Sequence, residues 1–244
     1  MSYTDVIYAS QAHIARITLN SPDSKNAMNE RMAGEIRDIC ERINQDNDIY
    51  VVVITGAGEV FCCGSDSGLV AGCADAIAGI EGATIAAING NAIGQGMEIA
   101  LSCDIRIASE KAIFSLPQVA EGIIPGDGGT QRLPRIVGRA KALELLLTAG
   151  TITAGEALEI GLVSKVVLAD EIVDEVQTLA ETIATKGPIA IKYLKEAVNK
   201  GMDMTMEQGL RLEADLYFLL HTTTDRTEGI EAFREKRTPD FKGE

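Results

Sequence analysis

The sequence predicts an α/β protein, and three observations carry that prediction. Continuous apolar runs recur at Tyr50–Thr55, Thr84–Asn89 and Asp104–Ala108, each the length of a strand buried on both faces. Between Met28 and Ile43, the residues Met32, Ile36, Ile39, Cys40 and Ile43 repeat at helical spacing on one face. After Gly128 the pattern is helical to the end of the chain. Strands alternating with helices imply βαβ units and a largely parallel sheet, while a helix-only tail packs on the body or on another subunit.

Local signals order the elements. Residues 5 to 19 alternate and break at Gln11-Ala12, as a β-hairpin would. Gly56 and Gly90 end the first two buried strands, and Gly94-Gln95-Gly96 marks a junction into a helix running to Leu101. Further helices are expected over 128–137, 140–147, 154–160, 170–185, 188–200 and 205–221, followed by a charged segment at 225–236. Residues 1–185 then form an α/β body and residues 186–244 a helical oligomerisation region. Neither an internal repeat nor a low-complexity linker interrupts them.

Composition narrows the partners. The 244 residues are 46% hydrophobic with no Trp, and they carry a formal net charge of −14. Such a field repels a nucleic-acid backbone or an anionic membrane surface. The five cysteines, Cys40, Cys62, Cys63, Cys73 and Cys103, sit in or beside apolar segments without ligand spacing, so they read as reduced packing residues and no metal site is expected. No signal peptide or membrane-length apolar run is present, which predicts a soluble, cytoplasmic protein.

Candidate chemistry centres on Glu98. A carboxylate in the apolar run Gly94–Leu101 would share a stripe with Leu101 and Ile105, and its pKa would rise toward a value suited to proton transfer. With the register slipped it would face water or pair with a base such as Arg132. Gly94-Gln95-Gly96 and Gly64-Ser65-Asp66-Ser67-Gly68 each place free backbone N–H groups at the carboxyl end of a strand, where two donors could converge on one anionic oxygen. Neither loop has the spacing of a nucleotide phosphate loop. His13 and His221, the only histidines, lie in no motif, so a Ser/His/Asp or Cys/His arrangement has little to work with.

Taken together, several motifs resemble the crotonase (enoyl-CoA hydratase/isomerase) superfamily nearly end to end. They are Leu19-Asn20-Ser21-Pro22 with Lys25-Asn26-Ala27-Met28, then Phe61–Asp66, Ile85–Gly90, Gly94–Ala100, Cys103–Ala108 and Gly122–Arg135. The resemblance implies a crotonase-like ββα spiral with a helical C-terminal trimerisation region, assembled as a homotrimer or a dimer of trimers. It also implies a lyase of fatty acid metabolism whose substrate is an acyl-CoA thioester, with no separate cofactor. On this chain the oxyanion-hole donors map to Ser65 and Gln95, and the first catalytic glutamate maps to Glu98. Substrate contacts map to Lys25, Ala27, Cys63 and Asp66, with Phe233 and Lys236 reaching the nucleotide end from a neighbouring subunit; tail packing and a solvated charge are the plainer roles for those two.

Three departures from the family pattern stand out. The second glutamate is replaced by Gln118, and an amide cannot exchange a proton as a carboxyl group can. Gln95 occupies a position where the family has glycine, so its side chain must be housed near the thioester. The segment from Ser67 to Ala83 is shorter than in the family by roughly three helical turns. Asp127 reads either as a replacement carboxyl group or as an N-cap for the helix starting at Gly128; Glu121 reads as surface or structural and Asp104 as structural. These features point to water addition or removal at an α,β-unsaturated acyl-CoA, with Glu98 as acid/base and Gln118 or Asp127 orienting the water. The alternatives are decarboxylation of a malonyl-type acyl-CoA by the single glutamate, and an inactive acyl-CoA-binding protein.

Overall fold

The computed structural model of the chain describes residues 3–65, 68 and 70–244. The expected hairpin pairs β1 (Val6–Gln11) with β2 (Ile14–Leu19) antiparallel and turns through Ala12 and His13, both at positive φ. Asn29 caps α1 (Glu30–Gln45) by accepting a hydrogen bond from Met32 N–H at 2.9 Å. The face that α1 buries contains Met32, Ile36, Ile39, Cys40 and Ile43, the residues picked out by their spacing.

The chain then winds in turns, each laying one strand in each of two sheets. β3 (Val51–Gly56) and β4 (Cys62–Cys63) precede α2 (Cys73–Ala78), and β5 (Ala83–Ile88) and β6 (Ala92–Ile93) precede α3 (Gln95–Ser102). β7 (Ile105–Ser109) and β8 (Ile113–Ser115) lead into a 3-10 turn, Pro117–Glu121. With β10 (Lys165–Val167), the main sheet has the order β1-β2-β3-β5-β7-β10 and is parallel from β2 onward. The second sheet has the order β4-β6-β8-β9, with β9 (Thr151–Thr153) antiparallel at its edge. This is a ββα spiral of the kind the resemblance implied.

Alternation along β3 explains why its run is apolar throughout. Val52 and Ile54 face the larger core with Ile36, Phe61 and Ile99, while Val51 and Val53 face a second core closed by Ile172, Val176 and Ala180 of α7 (Ile172–Ala184). Each such buried Val, Ile or Phe side chain contributes roughly 1.5–3 kcal/mol over leaving it in water. The other helices are α4 (Gly129–Val137), α5 (Arg139–Thr148), α6 (Ala154–Glu159), α8 (Pro188–Gly201), α9 (Met206–Leu220) and α10 (Thr224–Glu235). No helix among the described residues is long and apolar enough to cross a membrane.

Two expectations about elements need correction. The helix holding Glu98 stops at Ser102, so Ile105 is not on its stripe but opens β7. All eight residues of α3 are buried, because the helix runs through the core instead of along the surface. The second sheet was not foreseen at all, since strands of two or three residues are too short to show alternation.

Candidate active site

The site forms where the second sheet ends and α3 begins. β4 and β6 run parallel with Cys62 opposite Ala92 and Cys63 opposite Ile93, so continuing the register sets Gly64 beside Gly94 and Ser65 beside Gln95. Close backbone approach confirms this, because a Cβ on Gly94 would lie 3.5 Å from Gly64 Cα. Gly94 adopts φ 54° as it turns the strand into the helix, and its N–H continues the ladder to Ser115 C=O at 2.8 Å. Gly96 is required for a different reason: a Cβ there would meet Cys62 O at 2.1 Å, so only glycine lets α3 pack against β4.

Gln95 is the first residue of α3, where backbone N–H groups have no intrahelical partner. Ser65 forms a parallel bridge with Met28, in which Met28 N–H donates to Gly64 C=O at 2.8 Å. These two residues border a cavity of about 240 Å³ together with Cys63, Gly68, Glu98, Gln118, Glu121 and the apolar rim residues Ile123 and Ile124. The structure thus gathers Cys63, Ser65, Gln95, Glu98 and Gln118 around one space.

Glu98 is only 1% exposed, and its carboxylate is held from one side. Oε1 accepts hydrogen bonds from the backbone N–H of Asp127 at 2.7 Å and of Gly129 at 2.9 Å, at the N-terminus of α4. Oε2 is the oxygen next to Gln118, whose Nε2 lies 3.5 Å away. Burial raises the carboxyl pKa above its usual value, against the lowering pull of the Gly129 and Asp127 amides; the Asp127 charge adds to the rise and Arg132 opposes it. The side chain therefore faces the cavity and neither water nor Arg132, which pairs instead with Asp75 at 2.6 Å.

Asp127 does neither of the things expected of it. It is 4% exposed and is not among the residues lining the cavity, and α4 is capped by Gly128 with no side-chain bond. Its carboxylate instead accepts from Gly72 N–H at 3.1 Å and Ala74 N–H at 3.0 Å, at the start of α2. A carboxylate spent on two amides there has no oxygen turned to the reacting space. The Gln95 side chain follows the same direction: Nε2 donates to Val70 C=O and, at 3.3 Å, to Asp127 Oδ2, so it points away from the substrate space where it was expected.

The remaining candidates scatter. Lys25 C=O accepts from Cys63 N–H at 3.1 Å, which sets Lys25 and buried Ala27 alongside β4, although neither lines the cavity. Phe233 is 85% exposed on α10, and Lys236 ends that helix in a left-handed conformation, both outside the cavity lining. Asp66 lies outside the described residues. Asp104 is structural as expected, accepting from Thr84 and pairing with Lys195 at 2.9 Å. Two residues escaped sequence reasoning. Gly129, an amide donor to Glu98, was hidden in the run Pro125-Gly126-Asp127-Gly128-Gly129, whose position before a helix was the available signal; Glu121 was read as structural, yet it lines the cavity.

Adjacent amides at two strand ends beside a buried carboxylate are an arrangement that would suit a substrate gaining negative charge on an oxygen while a proton moves nearby. Comparison with known proteins specifies it further. Residues 9–244 match the family model described as enoyl-CoA hydratase/isomerase. The chain is 38% identical to a crotonyl-CoA hydratase of Syntrophomonas wolfei, covering 99% of each chain, and 39% identical to a short-chain-enoyl-CoA hydratase of Clostridium acetobutylicum, covering 97% of each. A crystal structure of enoyl-CoA hydratase from Bacillus anthracis superposes with a TM-score of 0.95 at 38% identity, covering 99% of this chain and 100% of that one. The chain belongs to the enoyl-CoA hydratase/isomerase family, and its ββα spiral is the fold of that family. Its alignment with the Syntrophomonas protein runs over 257 positions, more than the 244 residues here, so that relative carries residues this chain lacks.

Proposed function

We propose that the chain adds water to, or removes it from, the double bond of an α,β-unsaturated acyl-CoA. The thioester carbonyl oxygen takes hydrogen bonds from Ser65 and Gln95 N–H, which stabilise the negative charge that develops when the β-carbon is attacked; one such donor is typically worth on the order of 10² to 10³ in rate. Glu98 removes a proton from the water that attacks the β-carbon and delivers one to the α-carbon, so a single carboxyl group serves both ends of the addition. Gln118 supplies a donor and an acceptor to orient the water. The observation that carries this reading is the pinned Glu98 carboxylate, with Oε1 on two amides and Oε2 beside Gln118.

CoA recognition goes with Lys25, Ala27, Cys63 and Asp66 in this reading, and with Phe233 and Lys236 of a neighbouring subunit. Residues 186–244 would build the trimer or dimer of trimers. Exposed Leu194, Val198, Met202, Met206, Leu210 and Phe218 on α8 and α9 and between them support that role, because a monomer rarely leaves so much apolar surface in water. Cytoplasmic work in fatty acid metabolism, with CoA only as part of the substrate, belongs to the same proposal.

Replacement of the second glutamate by Gln118 favours one other reaction. Loss of CO₂ from a malonyl-type acyl-CoA creates the enolate without removing a C–H proton, so one carboxylate beside the same two donors would suffice. Incubation with crotonyl-CoA, followed by loss of the enoyl absorbance, and then with methylmalonyl-CoA, followed by CO₂ release, separates the two. Hydration is expected. CO₂ release alone would replace this reading with the second, and tight binding with neither product would leave an acyl-CoA-binding protein.

A further inference from the structure

Gln95 and Asp127 share an unusual division of labour. The main chain of each faces Glu98 or the cavity: Gln95 opens α3 with an N–H that has no backbone acceptor among the described residues, and Asp127 N–H holds Glu98 Oε1 at 2.7 Å. The side chain of each faces the other way, into the segment that follows Ser65 and Gly68 of the cavity wall. Gln95 Nε2 holds Val70 C=O, Asp127 holds the amides of Gly72 and Ala74, and the two side chains bond to each other at 3.3 Å. Arg132 adds a third tie between the same parts, donating to Asp127 C=O at 2.9 Å and to Asp75 of α2 at 2.6 Å.

We propose that Gln95 and Asp127 are positioning residues that couple the wall of the cavity to the alignment of Glu98 and the oxyanion donor, so that a substrate filling the cavity also sets the chemistry. The inference rests on the reading of Glu98 and the Gln95 amide given above. Both side chains are buried, Gln95 at 3% and Asp127 at 4% exposure, so neither bond is exchanged freely with water. The amide orientation of Gln95 is fixed by its surroundings: the side on Val70 C=O and the Asp127 carboxylate must be the NH₂, because both neighbours only accept. A shift of the Val70–Ala74 segment is therefore transmitted to the start of α3 and to the amide on Glu98 through the buried, hydrogen-bonded side chains of Gln95 and Asp127.

The test uses Gln95→Met, which keeps size but loses the bonds, Asp127→Asn, which keeps shape but loses the charge, and the double variant. With crotonyl-CoA, each single change is expected to lower kcat by about 10- to 100-fold, the scale of a misplaced catalytic group, while KM moves less than about threefold. The double variant should be no slower than the slower single, as for residues acting in one unit. Multiplying losses, or a raised KM at unchanged kcat, would overturn the proposal and leave two ordinary structural residues. A second measurement needs no variant: bound acetoacetyl-CoA, a β-keto thioester able to enolise against the donors, should slow hydrogen exchange of the Gly72 and Ala74 amides at least about tenfold, and unchanged exchange there would overturn the coupling. That measurement decides even where the variants fail to fold. Absence of crotonyl-CoA turnover in the native chain counts against the hydratase reading alone, and the exchange result still judges the coupling.

Discussion

The two sides of the cavity are built to different standards. On the side of α3 and α4, Glu98 is almost completely buried and its Oε1 takes two backbone hydrogen bonds shorter than 3 Å. On the side of the 3-10 turn at Pro117–Glu121, Gln118 is half-buried, its Nε2 makes one long contact of 3.5 Å, and its Oε1 has no partner among the described residues. Fixed amides cost no reorganisation when charge shifts, whereas a loosely held carboxamide can turn to follow a water. In the proposed reaction, proton transfer falls to the rigid side and orientation of the water to the adaptable one.

The largest effect is expected from removing the charge on the rigid side. Glu98→Gln keeps an oxygen for both amides but cannot move a proton, so kcat for hydration of crotonyl-CoA should fall about 10³-fold, within the usual span for a general acid/base. A loss below about tenfold would mean that another group carries the proton. The support of that charge can be disturbed separately. In Gly129→Ala the new Cβ would lie 3.1 Å from Glu98 Oε1 and 2.9 Å from Pro125 Cβ, tight contacts that force the carboxylate or the helix start to move. We expect kcat to drop about 10- to 100-fold and stability by about 1–3 kcal/mol, as overpacking typically costs. Denaturant melts beside steady-state rates would expose a contrary result, namely native activity in a destabilised protein.

Much of this arrangement was legible in the sequence, and the rest was not for definable reasons. The apolar run at Val51–Thr55 and the stripe on α1 announced themselves because burial imposes period and length on residues that are neighbours in sequence. Glu98 could be found as the lone acid in an apolar, glycine-bracketed run. The partner of Asp127 could not be found, because the amides it caps lie 53 and 55 residues away, and an aspartate before a helix is also the normal signal for capping that helix. The α4 N-terminus needed no side-chain cap, since Glu98 from α3 accepts the Gly129 N–H. Glu121 faces the cavity because three residues complete one turn of a 3-10 helix, bringing it under Gln118, a periodicity no longer than the element itself.

Restoring a second carboxyl group sharpens the contrast with a smaller effect. Gln118→Glu should raise crotonyl-CoA hydration by roughly tenfold at most, below the ~10²- to 10⁴-fold of a well-positioned general acid/base, since the side is loosely held; unchanged or lower activity would show that the cavity is tuned to the amide. The smallest effect is on stability, and its sign follows from the raised pKa of Glu98. The folded chain binds this proton more tightly than the unfolded chain, so stability falls as pH rises from the ordinary carboxylate pKa through the folded one, and the penalty stays constant above it. Glu98→Gln lacks that penalty while its amide oxygen can still accept from Asp127 and Gly129 N–H. The variant should therefore melt at a higher temperature than the native protein near pH 8, and the gap should close as both are brought to acid pH. Thermal melts of the two proteins across that range decide the point, because a gap independent of pH would place the cause in packing and leave the buried charge without a role.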